Sequence, residues 1–274
     1  MNRLIVALLV VAVCLFFTAI GSAEPPLSGA KTAIASARLL LPLYVVDTIN
    51  PGGATTLFAV RNQSSSEITI EIRYFRTDRP QAPQRTDVVS LAGKAVKTVN
   101  IAHVTGLHID GAGMARGYVI IQTLEPAARI QGDYFLVTPN QDYATGFRLV
   151  NIDRTSTHDE LCSVFTVRFL NGGGFDSATR YLIWRDLDEP LIPGETAFAF
   201  AVYDEAGVLQ IASEFASDQT AFEVTAYDLL HPMVSIDFGA IEIQFSHGEL
   251  GHISAVMSAS GRYSVGLEAS CGDF

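Results

Sequence analysis

A small set of histidine and serine side chains has the chemistry for catalysis or metal binding, and their spacing matches no established motif. His247 and His252 lie five positions apart around two glycines, whereas the helical zinc motif needs histidines four apart on one face. The glycines favour a turn, so we interpret both histidines as turn residues. The chain contains no Gly-x-Ser-x-Gly, P-loop or dinucleotide-binding pattern. The sequence therefore predicts a protein that is not an enzyme, with no catalytic residue, no metal ligand and no cofactor.

Carboxylates are concentrated in one loop of the second half of the chain. Asp186, Asp188 and Glu189 lie close together, and Asp204 and Glu205 follow in the next loop. A calcium ion takes roughly six to eight oxygen ligands, which protein loops supply through regularly spaced acidic residues. This loop lacks that spacing, so we interpret it as a solvated acidic loop. Calcium binding at 186–189 stays open.

Two aromatic residues, Trp184 and Tyr203, are candidates for stacking on a sugar ligand. Both lie in segments of alternating apolar residues, where aromatic side chains usually belong to the core. A carbohydrate-binding module or carbohydrate-active enzyme is therefore an alternative function. The sequence singles out no hydrolytic pair among its 29 acidic residues, because the separation of such a pair is spatial.

The elements that would position these side chains are β-strands. Within Thr55–Arg76, Phe58 and Val60 alternate with residues that point the other way, and apolar residues from Ile68 to Tyr74 alternate with mostly charged ones. A period of two indicates half-buried strands. The polar run 63–66 between them predicts a turn, and hence an antiparallel hairpin.

Similar short alternations predict strands over most of the remaining chain. They occur at 43–48, 87–91, 95–101, 116–123, 129–137 and 143–152. The 274-residue chain is 49% hydrophobic and contains 22 glycines, which suits a sizeable core and frequent turns. The composition favours an all-β protein.

The second half of the chain repeats the order of features in the first. Tyr181–Asp186 corresponds to Leu57–Asn62, 124 positions on, and Phe238–Gln244 corresponds to Arg116–Gln122, 122 positions on. Ala197–Tyr203 likewise corresponds to the segment that begins at Ile68. We predict two tandem immunoglobulin-like β-sandwich domains at 42–152 and 162–274, joined by a polar linker at 153–161.

The N-terminus has the pattern of a secretory signal peptide. Residues 1–23 contain Arg3, an apolar run from Leu4 to Phe17 and a small-residue cleavage site, and a leader segment at 24–41 follows. The apolar run is shorter than the ~20 residues that a spanning helix needs, and no later run is longer, so we expect no membrane-spanning segment in the mature chain.

Removal of the signal peptide leaves 17 basic against 29 acidic side chains, a net charge of −12. Such a surface disfavours nucleic acid and anionic membranes as partners. Two cysteines would remain, Cys162 and Cys271. In an oxidising compartment we expect them to form a disulfide that ties the two ends of the second domain together.

The segment Gly52–Asn62, the strand end Tyr74-Phe75 and the run Ala115–Val119 resemble modules of secreted bacterial proteins of uncharacterised function. The resemblance covers most of residues 44–137 and, more loosely, 165–267. It implies a bacterial exported β-sandwich and no catalytic residues.

Together these features predict a non-enzymatic exported protein with a structural or binding role at the cell exterior or in the periplasm. Its partner would be an envelope protein or a glycan. The C-terminal Phe274 also raises an outer-membrane β-barrel as a second alternative, although Glu268, Ser270 and Gly272 interrupt the required alternation.

Overall fold

The described part of the chain consists mostly of β-strands. The structure, a computed structural model, describes residues 35–50, 52–79, 82–138, 143–154, 160–170, 179–187, 193–230, 238–259 and 263–271. The strands are β1 (Arg38–Asp47), β2 (Thr55–Asn62), β3 (Ile68–Arg76), β4 (Arg85–Leu91), β5 (Val96–Asn100), β6 (Met114–Thr123), β7 (Ile130–Thr138), β8 (Tyr143–Arg148), β9 (Val150–Asn151), β10 (Val164–Leu170), β11 (Arg180–Asp186), β12 (Thr196–Asp204), β13 (Leu209–Ala216), β14 (Ala221–Thr225), β15 (Phe238–Phe245), β16 (Leu250–Ala259), β17 (Tyr263–Glu268) and β18 (Ser270–Cys271). One short helix, α1 (Ala226–Leu230), and 3-10 turns at Ile101–His103 and Ser246–Gly248 complete the described elements.

The strands form four antiparallel sheets. Sheet I has the order β5-β2-β7-β8 and sheet II the order β4-β3-β6-β1-β9; sheet III has the order β14-β11-β16-β17 and sheet IV the order β13-β12-β15-β10-β18. Adding nine to every strand number of sheets I and II gives sheets III and IV. The first half (β1–β9) and the second half (β10–β18) therefore share one strand order. The all-β prediction is confirmed.

The strand registers define which residues of the two halves correspond. Val60 pairs with Gly132 in the first half, and Arg185 pairs with Gly251 in the second. Gly132 lies against the carbonyl oxygen of Ala59, and Gly251 lies against that of Trp184, so neither position has room for a Cβ. The offset for β2 is therefore 125 rather than the 124 taken from the sequence.

That single residue decides which face each side chain occupies, because side chains alternate along a strand. With an offset of 125, Phe58 corresponds to Ile183 and Leu57 to Leu182. Phe58 and Ile183 both lie in a core between two sheets. In β12 the residue that corresponds to Tyr74 is Val202 rather than Tyr203. Tyr74 pairs with Val119 of β6 and Val202 with the equivalent Ile241 of β15, and Tyr74 and Val202 each face the core of their own half.

The strands predicted at Thr55–Arg76 are present, but the predicted hairpin is wrong. β2 belongs to sheet I and β3 to sheet II, so the chain crosses from one sheet to the other between them. The crossing places Phe58 and Val60 opposite Ile70 and Ile72 across one core, with all four side chains buried. A hairpin would have placed the two apolar faces side by side and left them without a covering layer.

Each half encloses its own core. The first core lies between sheets I and II and includes Phe58, Ile70, Ile72, Val119 and Tyr134. The second lies between sheets III and IV and includes Phe165, Phe198, Ile241, Ile243 and Phe245. Each half is therefore a two-layered sandwich. A constant-type immunoglobulin domain pairs its first strand with its second, whereas β1 pairs with β6 and β9, so the strand order differs from that type.

A third core joins the two halves. The outer face of sheet II packs against the outer face of sheet III, and the buried residues at this junction include Leu40, Tyr118, Ile120, Leu182 and Trp184. Phe75 stacks on Tyr118 at a ring distance of 4.9 Å. Residues 34–274 form one compact unit.

The described residues show what lies at both ends of the first half. β1 begins at Arg38, four residues before the predicted start at 42, so the end of the predicted leader is strand. The predicted linker at 153–161 lies next to Ile152 and ends at Leu161, both buried in the third core. Glu160 also accepts a hydrogen bond from the backbone N–H of Asn151 at 2.7 Å. These ends of the connection are packed, while 155–159 and the predicted signal peptide lie outside the described residues.

The second half contains the disulfide. Cys162 and Cys271 are joined with their Cα atoms 5.8 Å apart, within the usual range for a disulfide, in agreement with the predicted pairing. It ties the start of the second half to the edge strand β18. Within the described ranges, no helix is long and apolar enough to span a membrane.

Candidate functional site

A polar cleft opens where the two halves meet. Its volume is about 680 Å³, within the range of roughly 300–1,000 Å³ typical of ligand sites. The first half contributes the end of β3, the loop before β6, and parts of β1 and β6; the second half contributes β11, β14 and α1. We call this space the junction cleft.

One wall of the junction cleft carries a bidentate ion pair at the end of β3. Arg76 donates from Nε and Nη2 to the two carboxylate oxygens of Asp78, both at 2.7 Å. The hydrogen bonds from Arg76 hold the pKa of Asp78 below its usual range, so the carboxylate is charged at neutral pH. The planar fork fixes both side chains in one geometry.

A second pair lies in the loop before β6. Arg116 donates to Asp110 at 2.8 Å, and the other carboxylate oxygen of Asp110 accepts from the backbone N–H groups of Ala112 and Met114, both at 2.9 Å. The Met114 N–H has the largest effect in lowering the pKa of Asp110. The turn at Gly113, with φ of +78°, brings these two N–H groups to the carboxylate.

The second half supplies a looser pair and a capped helix. Arg180 on β11 lies 3.5 Å from Glu223 on the neighbouring strand β14. Asp228 accepts from the hydroxyl of Thr225 at 2.6 Å, and its own N–H donates to that hydroxyl at 3.0 Å. This reciprocal arrangement resembles a capping box and fixes the start of α1 at the edge of the cleft.

The two walls are held together at the base of the cleft. The backbone N–H of Thr220 donates to the carbonyl of Thr77 across the junction at 2.6 Å. Leu43 and Ala221 line the cleft beside this bond and also belong to the third core. Leu43 and Ala221 therefore connect the base of the cleft to the third core.

The lining offers donors and acceptors in adjacent positions. Three arginines face four carboxylates, and each arginine has a carboxylate partner. The charges nearly cancel, so the cleft does not select strongly for an anion or a cation. Paired guanidinium and carboxylate groups can instead donate to and accept from the same hydroxyl-bearing ligand.

The structure does not bring the two predicted stacking residues together. Trp184 is only 3% exposed and packs edge-on against Tyr118 at a ring distance of 6.0 Å. Tyr203 is half-buried at the end of β12, on the outer face of sheet IV. Trp184 therefore presents no ring to a solvent-borne ligand, because it belongs to the junction core.

The other candidates from the sequence also have structural partners. His247 is exposed at a positive φ of 56° and lies 3.2 Å from Glu195, which fits a turn residue. His252 lies within strand β16 and pairs with Trp184, so its interpretation as a turn residue is wrong. Its ring contacts the hydroxyl of Ser254 at 2.9 Å. Asp186 forms an ion pair with Arg154, while 188 and 189 lie outside the described residues.

Across the described ranges, no group of three or more His, Cys, Asp or Glu side chains has the arrangement of a metal site.

Sequence reasoning missed the junction cleft. Its only local signals were charged residues at the end of β3 and on β6, where Arg76, Asp78 and Arg116 interrupt the apolar pattern. These charges come together only because the two halves pack through the third core. Comparisons of the chain with protein-family models, curated proteins and solved structures returned no significant match.

Proposed function

We propose that this is a non-enzymatic, exported bacterial binding protein, built from a duplicated β-sandwich module, whose ligand occupies the junction cleft. The observation that carries the proposal is the cleft itself, a polar space of about 680 Å³ lined by both halves. The shared strand order of the two halves supports the duplication. The junction of two modules is also a common position for ligand binding.

The ligand class that suits this cleft best is a short oligosaccharide. Sugar hydroxyls both donate and accept, and the pairs Arg76–Asp78 and Arg116–Asp110 present both functions side by side. The near balance of charge on the lining supports a neutral ligand over a nucleotide or an acidic peptide. A hydroxyl-rich ligand would also tolerate the ion pairs without breaking them.

Binding is better supported than hydrolysis. A glycoside hydrolase needs one carboxylic acid whose pKa is raised so that it can protonate the leaving oxygen. Hydrogen bonds instead lower the pKa of both Asp78 and Asp110. Both groups are suited to accepting hydrogen bonds from a ligand.

Export is supported by the second half and by the N-terminal sequence. A disulfide such as Cys162–Cys271 persists in oxidising compartments, and residues 1–23 have the pattern of a signal peptide. Comparison of the N-terminal residue of the purified envelope protein with that of the cytoplasmic precursor would test cleavage after Ala23.

The binding proposal can be tested on a glycan array, followed by titration calorimetry with the strongest ligand. We expect Arg116→Gln to weaken binding at least about tenfold, because each lost charged hydrogen bond contributes about 1.5–3 kcal/mol. The matched control is Arg85→Gln. Arg85 is also paired with an aspartate, at 2.7 Å, but it lies outside the cleft.

Two results would overturn the proposal. One is an array on which wild type and Arg116→Gln give the same pattern. The other is release of free sugar from a bound glycan that stops in Asp110→Asn, which would establish a hydrolase.

A further inference from the structure

An open groove separates two edge strands of the first sandwich. Within the described residues, β4 is an edge strand of sheet II and β5 an edge strand of sheet I, and the turn at 92–95 joins them. The space between the two strands has a volume of about 570 Å³, within the range of roughly 300–1,000 Å³ typical of ligand sites. We call it the edge groove. It shares no lining residue with the junction cleft.

The floor of the edge groove is apolar. Val89 of β4 and Val99 of β5 pack against the core of the first half from its edge. Ile72 and Tyr74, which are buried in that core, also line the groove. Val89 and Val99 are only half-buried, so part of each side chain is left for contact with a ligand.

The strand registers identify the residue of the second half that corresponds to Val89. Val89 pairs with Ile70, and Phe215 pairs with Phe198. Ile70 and Phe198 are themselves equivalent, because they pair with equivalent residues of β6 and β15. Phe215 therefore occupies the position of Val89.

The same comparison applies to Val99. It pairs with Phe58 of β2, and Phe222 pairs with Ile183 of β11. Since Ile183 corresponds to Phe58, Phe222 occupies the position of Val99. Both valines of the groove floor are thus phenylalanines in the second half.

These phenylalanines fill the gap between sheets III and IV. The rings of Phe215 and Phe222 lie 5.8 Å apart with 12° between their planes, and Phe215 stacks on Phe198 at 5.1 Å. Phe222 comes from sheet III and the other two from sheet IV. The first half has aliphatic side chains at all three positions, and the edge groove lies there. A space from which rings are missing suits an aromatic molecule, as an apolar cavity left by a truncated core side chain binds benzene.

The walls of the edge groove carry two basic side chains against one acidic one. Arg85 pairs with Asp87 at 2.7 Å and donates to the carbonyl and the hydroxyl of Thr105, both at 2.9 Å, so this ion pair is part of the wall. Lys97 also lines the groove, and among the described residues it belongs to no ion pair. A lysine without a carboxylate partner beside an apolar floor favours a ligand with an acidic group.

These charges are particular to the first half. By the same registers, the position of Lys97 is Thr220 in the second half, and that of Arg85 is Ile211. At these positions the second half is uncharged and its gap is filled by rings, whereas the first half is charged and open. The shared fold therefore does not require a lysine here.

We propose that the edge groove binds a small aromatic acid, with its ring on Val89 and Val99 and its carboxylate at the ammonium group of Lys97. Val99 and Lys97 are two residues apart on one strand, so their side chains lie on one side of it, about 7 Å apart. One ring with a short acidic arm spans this distance. The ring takes the place that Phe215 and Phe222 hold in the second half.

The test uses three probes that differ in one property each. Phenylacetate has the ring and the charge, phenylacetamide has the ring without the charge, and cyclohexylacetate has the charge with a thicker, non-aromatic ring. Titration calorimetry of the purified protein at neutral pH and low salt should show phenylacetate binding at least about tenfold tighter than phenylacetamide, because a hydrogen bond between charged groups adds that much. Cyclohexylacetate should bind more weakly than phenylacetate, because the floor has the outline of flat rings.

Two variants test the two contacts separately. Val89→Phe/Val99→Phe restores the rings of the second half and should abolish binding of all three probes. Lys97→Gln should lower the affinity for phenylacetate to that for phenylacetamide and leave the affinity for phenylacetamide unchanged. Lys97 is exposed, so this variant needs no repacking and still tests the proposal if the double variant does not fold.

Each variant has a matched control outside the lining of the groove. Val96→Phe adds a ring on the same strand at a residue that is 57% exposed, and Lys94→Gln removes a lysine from the neighbouring turn. Both should bind phenylacetate like wild type. Circular dichroism of every variant before titration excludes unfolding as the cause of lost binding.

Any of four results would overturn the proposal. Wild type could bind no probe at millimolar concentration, or it could bind phenylacetate no more tightly than one of the other two probes. Folded Val89→Phe/Val99→Phe could bind phenylacetate like wild type. Lys97→Gln could keep the full affinity for phenylacetate, which would leave the lysine only the role of protecting a strand edge from association. Glycan binding in the junction cleft is measured separately and does not depend on these results.

Discussion

At the scale of residues, the two halves use different chemistry at equivalent positions. Cys271 pairs with Phe165, which lies three residues after Cys162. Asn151 likewise pairs with Leu39, which lies three residues after Ser36, so Ser36 and Asn151 occupy the positions of the two cysteines. The Ser36 hydroxyl donates to the Asn151 side-chain oxygen at 2.6 Å in a buried environment. A hydrogen bond in the first half thus stands where the second half has a disulfide.

We expect Ser36→Cys/Asn151→Cys to form a second disulfide in the oxidised protein. The two positions are 115 residues apart, so the loop-entropy estimate gives a stabilisation of up to about 4–5 kcal/mol. The mass of the unreduced, alkylated protein would show the bond, and thermal unfolding would show its effect.

Wild type is the control, compared with the variant in both the oxidised and the reduced form, because reduction also breaks the Cys162–Cys271 bond. Alkylation of both new thiols under oxidising conditions would show that the two positions do not correspond as the strand registers indicate.

A second exchange concerns a buried charge. Arg185 is 1% exposed and occupies the position of Val60, and Glu249 occupies that of Ile130. Arg185 donates to the carboxylate of Glu249 at 2.9 and 3.1 Å and to the carbonyl of Ser217. The second half therefore replaces an apolar pair with an ion pair.

Removing one member of this pair should cost far more than replacing both. We expect Glu249→Ala to lower the free energy of unfolding by about 3–5 kcal/mol, because Arg185 stays buried without its partner. Arg185→Val/Glu249→Ile restores the chemistry of the first half and should be close to wild type. Urea unfolding would measure both.

Glu223→Ala is the control, since it breaks a partly exposed pair worth no more than about 1 kcal/mol. A double variant less stable than Glu249→Ala would contradict this explanation.

At the scale of elements, the sequence predicted where strands lie better than how they pair. The alternation from Ile68 to Tyr74 identifies a strand and its buried face, because a period of two is a property of one strand alone. It contains no information on the partner, so β2 and β3 were assigned to a hairpin although they lie in different sheets. A buried side chain with several hydrogen bonds lies at the crossing.

That side chain is Asn62, which is fully buried at the end of β2. Its amide nitrogen donates to the carbonyls of Ser66, Leu91 and Ala92 at 2.8, 3.1 and 3.1 Å, and its oxygen accepts from the N–H of Ser64 at 2.8 Å. One residue thus joins the β2–β3 crossing to the end of β4.

We expect Asn62→Asp to destabilise the protein by about 3 kcal/mol or more. The aspartate loses the amide donor and places a buried charge against three carbonyl oxygens. Urea unfolding at neutral pH would measure the loss.

Asn100→Asp is the matched control. The Asn100 side-chain oxygen accepts from Thr55 and from the N–H of Ala102, so an aspartate keeps both hydrogen bonds. Equal losses in the two variants would show that the three carbonyl contacts of Asn62 do not matter.

At the scale of the whole molecule, the outer faces explain how two equivalent modules pack without ambiguity. Leu43 and Ile120 of sheet II are buried at the junction, and the corresponding residues of sheet IV are Arg168 and Glu242. Of these two equivalent sheets, sheet II therefore has an apolar outer face, which is covered, and sheet IV has a polar outer face, which meets solvent. Terminal repeats of stacked proteins commonly carry such a polar outer face.

The sequence repeat indicated two modules, but it could not show this junction or the cleft beside it. Outward apolar residues such as Leu182 and Trp184 follow the same alternation as core residues, and only the register assigns them to the third core. The 124-position alignment placed Leu182 opposite Phe58, so it exchanged the inner and outer faces of β11. Arg116 and Arg180 reach the cleft from separate halves, and no local pattern in the sequence shows that they meet.

The third core should make the two halves unfold together. Trp184 is the single tryptophan of the chain and lies at the junction, so its fluorescence reports the junction while circular dichroism reports all the sheets. In wild type we expect both signals to change in one coincident urea transition.

Ile120→Glu should separate these two transitions. It places at the junction a glutamate, which is the residue that sheet IV carries at the equivalent position, Glu242. Burial of an unpaired carboxylate weakens the contact between sheets II and III. The fluorescence of Trp184 should then change at lower urea than the circular dichroism, with a red-shifted emission.

The reverse exchange, Glu242→Ile, is the control, since it alters the corresponding residue on the partly exposed face of sheet IV. It should leave the transitions coincident in dilute solution. Coincident transitions in Ile120→Glu would contradict this explanation, because they would show that a charge at the junction does not uncouple the two halves.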